Sequence, residues 1–404
     1  MSAAVPAVVF GIDTPIGLTI VRDLGRDGVT VYGVARSASA LGMASRYLHQ
    51  GLVRASGEQA IIDQLVQLGR DIGPACLFAI SEGDLALLNR HRDELAGFTL
   101  MFPDPVRLDS VLDKSQTFAA AAKVGIRTPK TLQVASMAEA QQASGTLRFP
   151  VVLKWANPIA VIQLLSDAGL ELEKLRYCDS PEQLLACLQP FDSIGSYPLI
   201  QEYCAGYGLG QFILMKEGQA HYTFQHKRVH EWPPEGGFSS LCESIGRDAH
   251  QDLMQKSIAL LRELNWEGIA MVEYRHDPAT GESALMEING RFWGSLPLAY
   301  HAGARFPSLY YRLFGTGQAV ANTPYRGGVR CRFMVPETRR LLRILLRPQL
   351  IADKTLHFAR LPELLGYLGD FVRLSSRYYV FELADPKPFF SDVGQMIRKA
   401  LKRL

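Results

Sequence analysis

The sequence lacks the features that mark membrane-spanning, secreted and disulfide-rich proteins. None of its apolar runs reaches the roughly 18 residues that a membrane-spanning helix needs. Its six cysteines show no CxxC pair and no regular spacing, which favours free thiols in a reducing compartment. The first apolar stretch follows no basic segment and is interrupted by Asp13, so it indicates a β-strand rather than a signal peptide. We therefore expect a cytoplasmic protein without a transmembrane segment.

A dinucleotide-binding fingerprint is also missing. The apolar runs 5–12 and 29–35, with an amphipathic helix between them, predict a βαβ unit. A further strand is predicted at 75–80, so the first hundred residues indicate a small open α/β domain. Five residues separate Gly11 from Gly17 in the first turn, and the middle glycine of GxGxxG is absent. This turn favours a structural or substrate-facing role over NAD binding.

The charge is small in total but unevenly distributed along the chain. The net charge is +3 over 404 residues, whereas residues 338–404 alone carry 13 Lys and Arg against 6 Asp and Glu. Three of these arginines, Arg339, Arg343 and Arg347, fall on one stripe of a predicted helix. A solvated helical face is the favoured interpretation, and contact with an anionic surface, substrate or partner is the alternative.

The middle of the chain predicts an alternation of helices and strands. A helix begins at Asp113 and ends near Gly125 and Pro129. The other predicted elements are strand 149–154, a helix near 181–188, strands 198–203, 211–216 and 219–228, a helix at 250–264, and strands 268–275 and 283–289. Turns at 217–218 and 277–281 predict two hairpins.

The last predicted hairpin, formed by strands 268–275 and 283–289, carries acidic residues that indicate a metal site. Alternation places Glu273 on one face of its strand, and the partner strand carries Leu285, Glu287 and Asn289 on one face. Two carboxylates on paired strands repel each other unless a cation lies between them. Asn289 adds a neutral oxygen ligand, so Glu273, Glu287 and Asn289 predict a Mg²⁺ site. Glu273 alone would indicate an ordinary ion pair with a neighbouring arginine, but the ordered set favours the metal.

Three cations accompany this acidic set. Arg291 follows Asn289 by two residues and can stabilise charge that develops on a transferring group. Lys154 ends an apolar strand, where a buried cation without an anion is costly and a phosphate is a suitable partner. Lys114 lies at the start of a predicted helix. Each lysine alone is more typical of a solvated side chain.

Taken together, these residues resemble the ATP-grasp superfamily of carboxylate–amine and carboxylate–thiol ligases over about residues 100–305. The resemblance implies that ATP lies between two α+β lobes. It implies ATP contacts, with two lysines on the phosphates and a hinge whose backbone binds adenine, at Lys114, Lys154, Gln201, Glu202, Tyr203 and Cys204. Glu202 would lie near the exocyclic amine. The metal, Mg²⁺ or alternatively Mn²⁺, would be held by Glu273, Glu287 and Asn289, with Arg291 beside the acyl-phosphate chemistry.

The segment after residue 226 is similar to stand-alone bacterial carboxylate–amine ligases of unassigned substrate. Its candidate substrate or phosphate contacts are Lys227, Arg228, Gly236, Gly237, Ser239 and Ser240. The glycine–serine loop offers backbone N–H groups and hydroxyls to an anion, and a flexible surface loop is the alternative.

Two segments depart from the family pattern. Family members commonly have a glycine-rich flap that closes over the ATP phosphates after the second lysine. Residues 155–163 occupy this position and are not glycine-rich, so we expect a different mode of closure here. Residues 205–210 supply no acid for the ribose hydroxyls.

Two histidines near the end of strand 219–228 require a choice. His226 and His230 have the i, i+4 spacing of a zinc pair, but only a helix would bring them together, and no HExxH is present. We favour a cationic row of His226, Arg228 and His230 that faces phosphate or substrate.

The sequence thus predicts a mixed α/β and α+β fold. We expect a small open α/β domain (1–100), a two-lobed ATP-grasp domain with lobes at about 101–203 and 204–330, and a basic, mainly helical C-terminal region (331–404).

The leading functional hypothesis is an ATP-dependent ligase that activates a carboxylate as an acyl-phosphate and joins it to an amine. Its partners would be small molecules and not nucleic acid, and its oligomeric state is open, with a homodimer as one option. One alternative is a non-catalytic Mg-ATP-binding module that engages a partner or a membrane surface through its basic C-terminal region. A nucleotide-sugar or dinucleotide enzyme is a third hypothesis, against which the missing glycine fingerprint argues.

Overall fold

The computed structural model of the protein describes residues 4–156, 158–173, 175–353 and 356–401. Its strands form a five-stranded, a four-stranded and a seven-stranded sheet. Helices pack on these sheets, and the mixed α/β class predicted from the sequence is confirmed. Within the described ranges, no helix has the length and apolar character needed to cross a bilayer.

The five-stranded sheet forms the N-terminal domain and is parallel throughout, in the order β3-β2-β1-β4-β5. Its strands are β1 (Ala7–Phe10), β2 (Val31–Ala35), β3 (Gln50–Val53), β4 (Ala75–Ala79) and β5 (Phe98–Met101). The accompanying helices are α1 (Pro15–Arg26), α2 (Glu58–Ile72) and α3 (Glu82–Arg90). The central strands β1 and β4 are buried along their whole length, as expected for parallel strands covered on both faces.

The turn between β1 and α1 brings two glycines close together. Gly11 has a φ of +109°, which glycine adopts readily. A Cβ on Gly17 would lie 2.5 Å from the carbonyl oxygen of Gly11, so a larger residue would not fit. Thr14 caps α1 by accepting a hydrogen bond from the Gly17 amide. In this structure both glycines serve the packing of the turn.

The four-stranded antiparallel sheet forms a small lobe, in the order β6-β9-β7-β8. Its strands are β6 (Thr131–Leu132), β7 (Val151–Lys154), β8 (Arg176–Cys178) and β9 (Leu199–Glu202). The helices of this lobe are α6 (Met137–Ser144), α7 (Pro158–Asp167) and α8 (Pro181–Leu188). Val151 and Leu153 of β7 are buried in the core of the lobe, so the alternate residues Val152 and Lys154 occupy the opposite face.

The seven-stranded sheet forms a large lobe, in the order β14-β13-β10-β11-β12-β15-β16. Its strands are β10 (Tyr207–Lys216), β11 (Gln219–Trp232), β12 (Phe238–Ser244), β13 (Gly268–His276), β14 (Ser283–Asn289), β15 (Arg330–Arg332) and β16 (Ser376–Tyr378). All neighbouring pairs are antiparallel except β15 and β16. The hairpins predicted at β10–β11 and β13–β14 are confirmed.

Five further helices surround the large sheet. They are α4 (Pro105–Leu112), α5 (Lys114–Lys123), α9 (Gln251–Glu263), α10 (Leu296–Ala302) and α11 (Phe306–Tyr310). α4 and α5 precede the small lobe in sequence but contact β14, and Val111 and Ala121 share a buried cluster with Trp266. Lys114, the first residue of α5, therefore lies on the large-lobe side.

The C-terminal region is mainly helical, as predicted, but it also extends the large sheet through β15 and β16. Its helices are α12 (Met334–Leu346), α13 (Arg360–Val372) and α14 (Lys387–Leu401). The strand β15 crosses the predicted boundary at residue 330, and the exact domain limits stay a prediction.

Buried ion pairs attach the N-terminal domain to the rest of the molecule. Asp23, which is fully buried, accepts hydrogen bonds from Arg305 at 2.6 Å and from the Ser308 amide at 2.9 Å. Arg22, 2% exposed, donates to Asp385, 1% exposed, at 3.0 Å. Since an unpaired buried charge is costly, these pairs hold the three segments in one arrangement.

Candidate active site

The β13–β14 pair aligns the acidic residues that the sequence singled out. Glu273 lies directly opposite Glu287, and Met271 lies opposite Asn289. The Asn289 amide donates to the Glu287 carboxylate at 3.1 Å. The predicted pairing of the two glutamates is therefore present, and Asn289 is next to it. Their role as metal ligands stays a prediction.

One detail of the predicted hairpin is wrong. Leu285 was expected on the face of Glu287, but it lies opposite Tyr274 and is fully buried in the core. The register shifts between Glu273 and Tyr274, so β14 has one extra residue at this point. A β-bulge of this kind reverses the alternation beyond it, and sequence periodicity does not reveal it.

Glu273 lies in a confined environment with mixed charges. Its side chain is 12% exposed and lies 2.5 Å from the Arg228 guanidinium. Burial raises the pKa of Glu273 to about 7; Arg228 opposes this effect, while the neighbouring Glu287 and Glu231 carboxylates add to it. The site therefore holds more negative charge than Arg228 alone neutralises.

Arg228 reaches Glu273 by crossing a strand. It extends from β11 over β10, where a Cβ on Gly208 would lie 2.6 Å from its Cδ. The guanidinium also contacts Glu231 at 3.1 Å and the Gly237 carbonyl at 3.0 Å. The missing side chain at Gly208 thus opens the path that brings Arg228 to the acidic pair.

Glu231 is a site residue that sequence reasoning missed. It contacts both Arg228, at 3.1 Å, and Arg275, at 3.4 Å. In a regular strand, residues three apart face opposite sides, but the register of β11 shifts on both sides of His230. The resulting irregularity turns Glu231 towards Arg228, and the Arg228-x-x-Glu231 charge spacing was the only available signal.

Lys154 connects the small lobe to the acidic pair. It ends β7, lies within hydrogen-bonding reach of Lys114 on α5, and interacts with Glu287 and Cys204. Burial and the nearby Lys114 charge lower the pKa of Lys154 to about 8, and Glu287 partly opposes them. Two lysines and a glutamate from separate predicted elements therefore meet where the lobes face each other.

The predicted hinge has structural partners of its own. Gln201 is buried and donates to Thr131 on β6 at 2.8 Å. Glu202 pairs with Arg127 at 2.5 Å and accepts from the Lys130 amide. The Tyr203 hydroxyl lies 3.2 Å from Asp353 of the C-terminal region. Cys204, which is half-buried, lies near Lys154. Adenine binding by this segment stays a prediction.

The two histidines have different environments. His226 is 1% exposed, its ring lies 4.8 Å from that of Phe212, and neither ring nitrogen has a hydrogen-bond partner among the described residues. Burial and the Arg228 charge lower the pKa of His226 to about 3. The expectation that His226 belongs to a cationic row is therefore wrong, because burial keeps it neutral. His230 instead contacts Glu337 of α12 at 2.6 Å.

The candidate substrate segment lies partly inside the protein. Lys227 pairs with Glu243 at 3.0 Å, and Ser240 is fully buried and donates to Glu337. Ser239 is 7% exposed, and Gly236 has a φ of +139°. Arg228 and the Gly237 carbonyl are the members of this segment that the structure joins to the acidic pair.

Arg291 lies at the junction with the N-terminal domain. Its guanidinium pairs with Glu82 at 2.9 Å, and Glu82 is the first residue of α3. Arg291 thus follows the acidic strand but is held by a carboxylate from another domain. Its role in charge stabilisation stays a prediction.

The sequence analysis also missed a group of contacts between the small lobe and the C-terminal region. Tyr177 of β8 donates its hydroxyl to the Glu235 carbonyl and lies near Tyr203, with ring centroids 6.1 Å apart. Asp353, beside Tyr203, lies 150 residues further along the chain. Such distant partners leave no signal in a single sequence.

Several solved structures resemble the fold of this chain. An L-amino acid ligase from Bacillus licheniformis has a TM-score of 0.56 and 15% identity, over 77% of this chain and 74% of that chain. An ADP complex of N5-carboxyaminoimidazole ribonucleotide synthetase has a TM-score of 0.61 and 13% identity, over 85% and 86% of the two chains. A complex of biotin carboxylase with beta-gamma-ATP from Campylobacter jejuni has a TM-score of 0.61 and 12% identity, over 81% of this chain and 75% of that chain.

Neither a protein-family model nor a curated protein matches the sequence. At identities of 12–15% the structural likeness establishes the fold alone. The chain therefore has the ATP-grasp fold that the sequence predicts.

Proposed function

We propose that the protein is an ATP-dependent ligase that activates a small-molecule carboxylate and joins it to an amine. The observation that carries this proposal is the meeting of Lys154 from the small lobe with Lys114 and the Glu273–Glu287 pair on the large-lobe side. The two lysines repel each other, and so do the two carboxylates that face each other across the paired strands. A phosphate chain with its divalent cation, placed between them, satisfies both sets.

The acidic pair fits a hard divalent cation in its donor chemistry. Glu273, Glu287 and Asn289 supply only oxygen ligands, and Mg²⁺ commonly takes one or two carboxylates and fills its shell with water and phosphate oxygens. The described residues contain no cluster of three His, Cys, Asp or Glu side chains that would hold a metal without such help. Bound here, Mg²⁺ or Mn²⁺ would neutralise charge on the phosphates of ATP.

The two lysines would hold the phosphates from the other side. Lys154 lies at the end of a strand with a half-buried side chain, where an anion lowers the cost of its charge. Lys114 is half-buried next to it at the first turn of α5. In this arrangement the protein aligns the γ-phosphate and stabilises its charge, which are the main requirements of phosphoryl transfer.

The reaction then has two steps. A carboxylate oxygen of the substrate attacks the γ-phosphorus, and the bond to ADP breaks to give an acyl-phosphate and ADP. The amine attacks the acyl carbon, loses a proton, and releases inorganic phosphate. Arg291, once free of Glu82, would stabilise charge on the transferring group, and Arg228 would keep Glu273 in place.

The names of the structural neighbours support this reaction class. An L-amino acid ligase and a carboxyaminoimidazole ribonucleotide synthetase both have this fold.

The test is a phosphate-release screen with Mg-ATP, pooled carboxylic acids and pooled amines. We expect phosphate release that requires both an acid and an amine. Glu287→Gln should lower kcat/KM by at least about tenfold, since even outer-shell changes at metal sites cost that much. Glu282→Gln is the matched control, because Glu282 is 64% exposed and immediately precedes β14. Tight ATP binding without turnover on any pair would contradict the proposal.

The pairing of Arg291 with Glu82 favours one second candidate, a non-catalytic Mg-ATP-binding module. A module of this kind needs no charge stabiliser in the cleft, so Arg291 would serve only the domain contact. Arg291→Ala distinguishes the two functions. Lost turnover with retained ATP binding supports the ligase, whereas unchanged ATP-dependent behaviour supports the module.

A further inference from the structure

Helix α13 exposes an apolar stripe. Leu361, Leu365, Leu368 and Val372 are 65%, 58%, 53% and 81% exposed. Their spacing of four, three and four residues places them on one side of the helix. Single exposed leucines are ordinary, but a continuous stripe over the whole length of a helix marks a contact surface.

The opposite side of α13 is fixed to the rest of the protein. Tyr367 and Phe371 each lie 4.5 Å from the guanidinium of Arg332, which is fully buried. Asp370 pairs with Arg330 of β15 at 3.1 Å, and Glu363 pairs with Arg340 of α12 at 2.8 Å. These contacts hold the helix in one orientation, so the apolar stripe stays on the outside.

The charge around the stripe is positive. Arg360 precedes Leu361 and is exposed. Arg373 follows Val372, and it is half exposed while its Nε pairs with Asp370 at 3.2 Å. The neighbouring α12 exposes Arg339, and Arg347 ends it. The acids of this region in the described residues are directed inwards, since Asp353 and Asp370 are buried and Glu363 is paired with Arg340.

We propose that this face, the α13 stripe with its flanking arginines, docks on a membrane surface that contains anionic lipids. The leucines would enter the boundary between headgroups and acyl chains, and the arginines would bind lipid phosphates. A second copy of the chain fits less well, because it would bring arginines against arginines. This inference goes beyond the proposed ligase activity and does not depend on it.

The docking face is joined to the candidate active site. Arg343 of α12 lies 4.9 Å from the ring of Trp232, at the end of β11, and Asp353 lies beside Tyr203 of the hinge. Helix α12, which pairs with α13 through Arg340 and Glu363, therefore links the docking face to the end of β11.

The test is co-sedimentation of the full chain with vesicles. We expect binding to vesicles of phosphatidylcholine and phosphatidylglycerol in equal amounts, no binding to phosphatidylcholine alone, and weaker binding at high salt. The double variant Leu365→Ser, Val372→Ser should lower the partition by at least about tenfold, since two aliphatic side chains would no longer enter the bilayer. Arg360→Glu with Arg347→Glu should abolish the preference for anionic vesicles, and both of these arginines are exposed.

Val106→Ser is the matched control, because Val106 on α4 is as exposed as Val372, at 81%. Its binding should equal that of the wild type. Equal binding of the double variant and the wild type, or equal binding to both kinds of vesicle, overturns the proposal. A dimer that the double variant dissociates, in a protein that does not bind vesicles, also overturns it and assigns the stripe to a second copy.

Discussion

At the residue scale, Gly208 decides where Arg228 lies. A side chain at this position of β10 would occupy the space through which Arg228 reaches Glu273. A similar relation holds two residues on, where a Cβ on Gly210 would lie 2.7 Å from Nε2 of His226. Two glycines in a strand, which ordinarily weaken it, here make room for two side chains of the neighbouring strand.

We expect Gly208→Val to displace Arg228 and to destabilise the large lobe by about 3 kcal/mol, the usual cost of breaking a buried pair. The physical reason is that Glu273 and Arg228, 12% and 14% exposed, would both lose their partner. Chemical denaturation of the two proteins measures the difference.

A double-mutant cycle separates this effect from ordinary strand damage. In an Arg228→Ala background, Gly208→Val should lower the free energy of unfolding much less, because the arginine side chain that valine would displace is already gone. Equal costs in the two backgrounds would show that Gly208 acts on the strand and not on Arg228.

The predictable part of the site follows from local periodicity. Alternation in two short strands was enough to pair Glu273 with Glu287 and to place Asn289 next to them. Leu285 and Glu231 were misplaced or missed because a bulge beside each of them changes the alternation. Bulges depend on tertiary contacts, so the residue pattern does not reveal them.

At the scale of the element, α13 is attached to the sheet by an arginine between two aromatic rings. The guanidinium nitrogens of Arg332 have no hydrogen-bond partner among the described residues. The rings of Tyr367 and Phe371 supply the attraction instead, and a desolvated contact of this kind is worth about 2 kcal/mol or more.

We therefore expect Tyr367→Ala to loosen α13. Hydrogen exchange of the amides in 360–372 should become about 30-fold faster, which corresponds to about 2 kcal/mol of lost local stability. Tyr367→Phe keeps the ring and loses only the contact with Thr338, so it should keep most of the protection. Equal exchange in the alanine and phenylalanine variants would rule out the ring as the anchor.

Several of the elements that the sequence analysis did not predict are short or weakly patterned, but it also missed the 15-residue amphipathic helix α2. The edge strand β3 is largely exposed, and β15 and β16 have three residues each. Their sheet partners lie far away in the chain, and the pairing depends on contacts with those partners. The residues of these short strands therefore show little of the pattern that predicts a strand. Where a long, buried or amphipathic element was predicted, as for β1, α9 and β13, most of its ends were located within one or two residues.

At the scale of the whole molecule, two buried histidines make the fold sensitive to acid. Burial lowers the pKa of His226 to about 3 and that of His301 to about 4, and nearby arginines act in the same direction. The native state keeps both rings neutral, whereas the unfolded chain protonates them near pH 6.5. Above pH 6.5 both rings are neutral in both states, and the full free energy of unfolding is present. As the pH falls from 6.5 towards 4 and then 3, protonation of the unfolded chain lowers this free energy.

Between pH 6.5 and pH 4, protonation of His301 in the unfolded chain lowers the free energy of unfolding by about 3 kcal/mol. We expect the Tm to fall steeply between pH 6.5 and 4, and His226→Leu to flatten this dependence. Carboxylates titrate in both proteins, so the difference between the two curves of Tm against pH isolates the histidine. Parallel curves would show that His226 is protonated without cost.

The contact between Arg22 and Asp385 also affects when the packing of the N-terminal domain is completed. These residues are 363 positions apart, and α1 carries both Arg22 and Asp23 into the interior. Arg22 can meet this carboxylate only after the segment around Asp385 has been synthesised and has packed against α1. The N-terminal domain thus depends on a residue far along the chain to complete its packing.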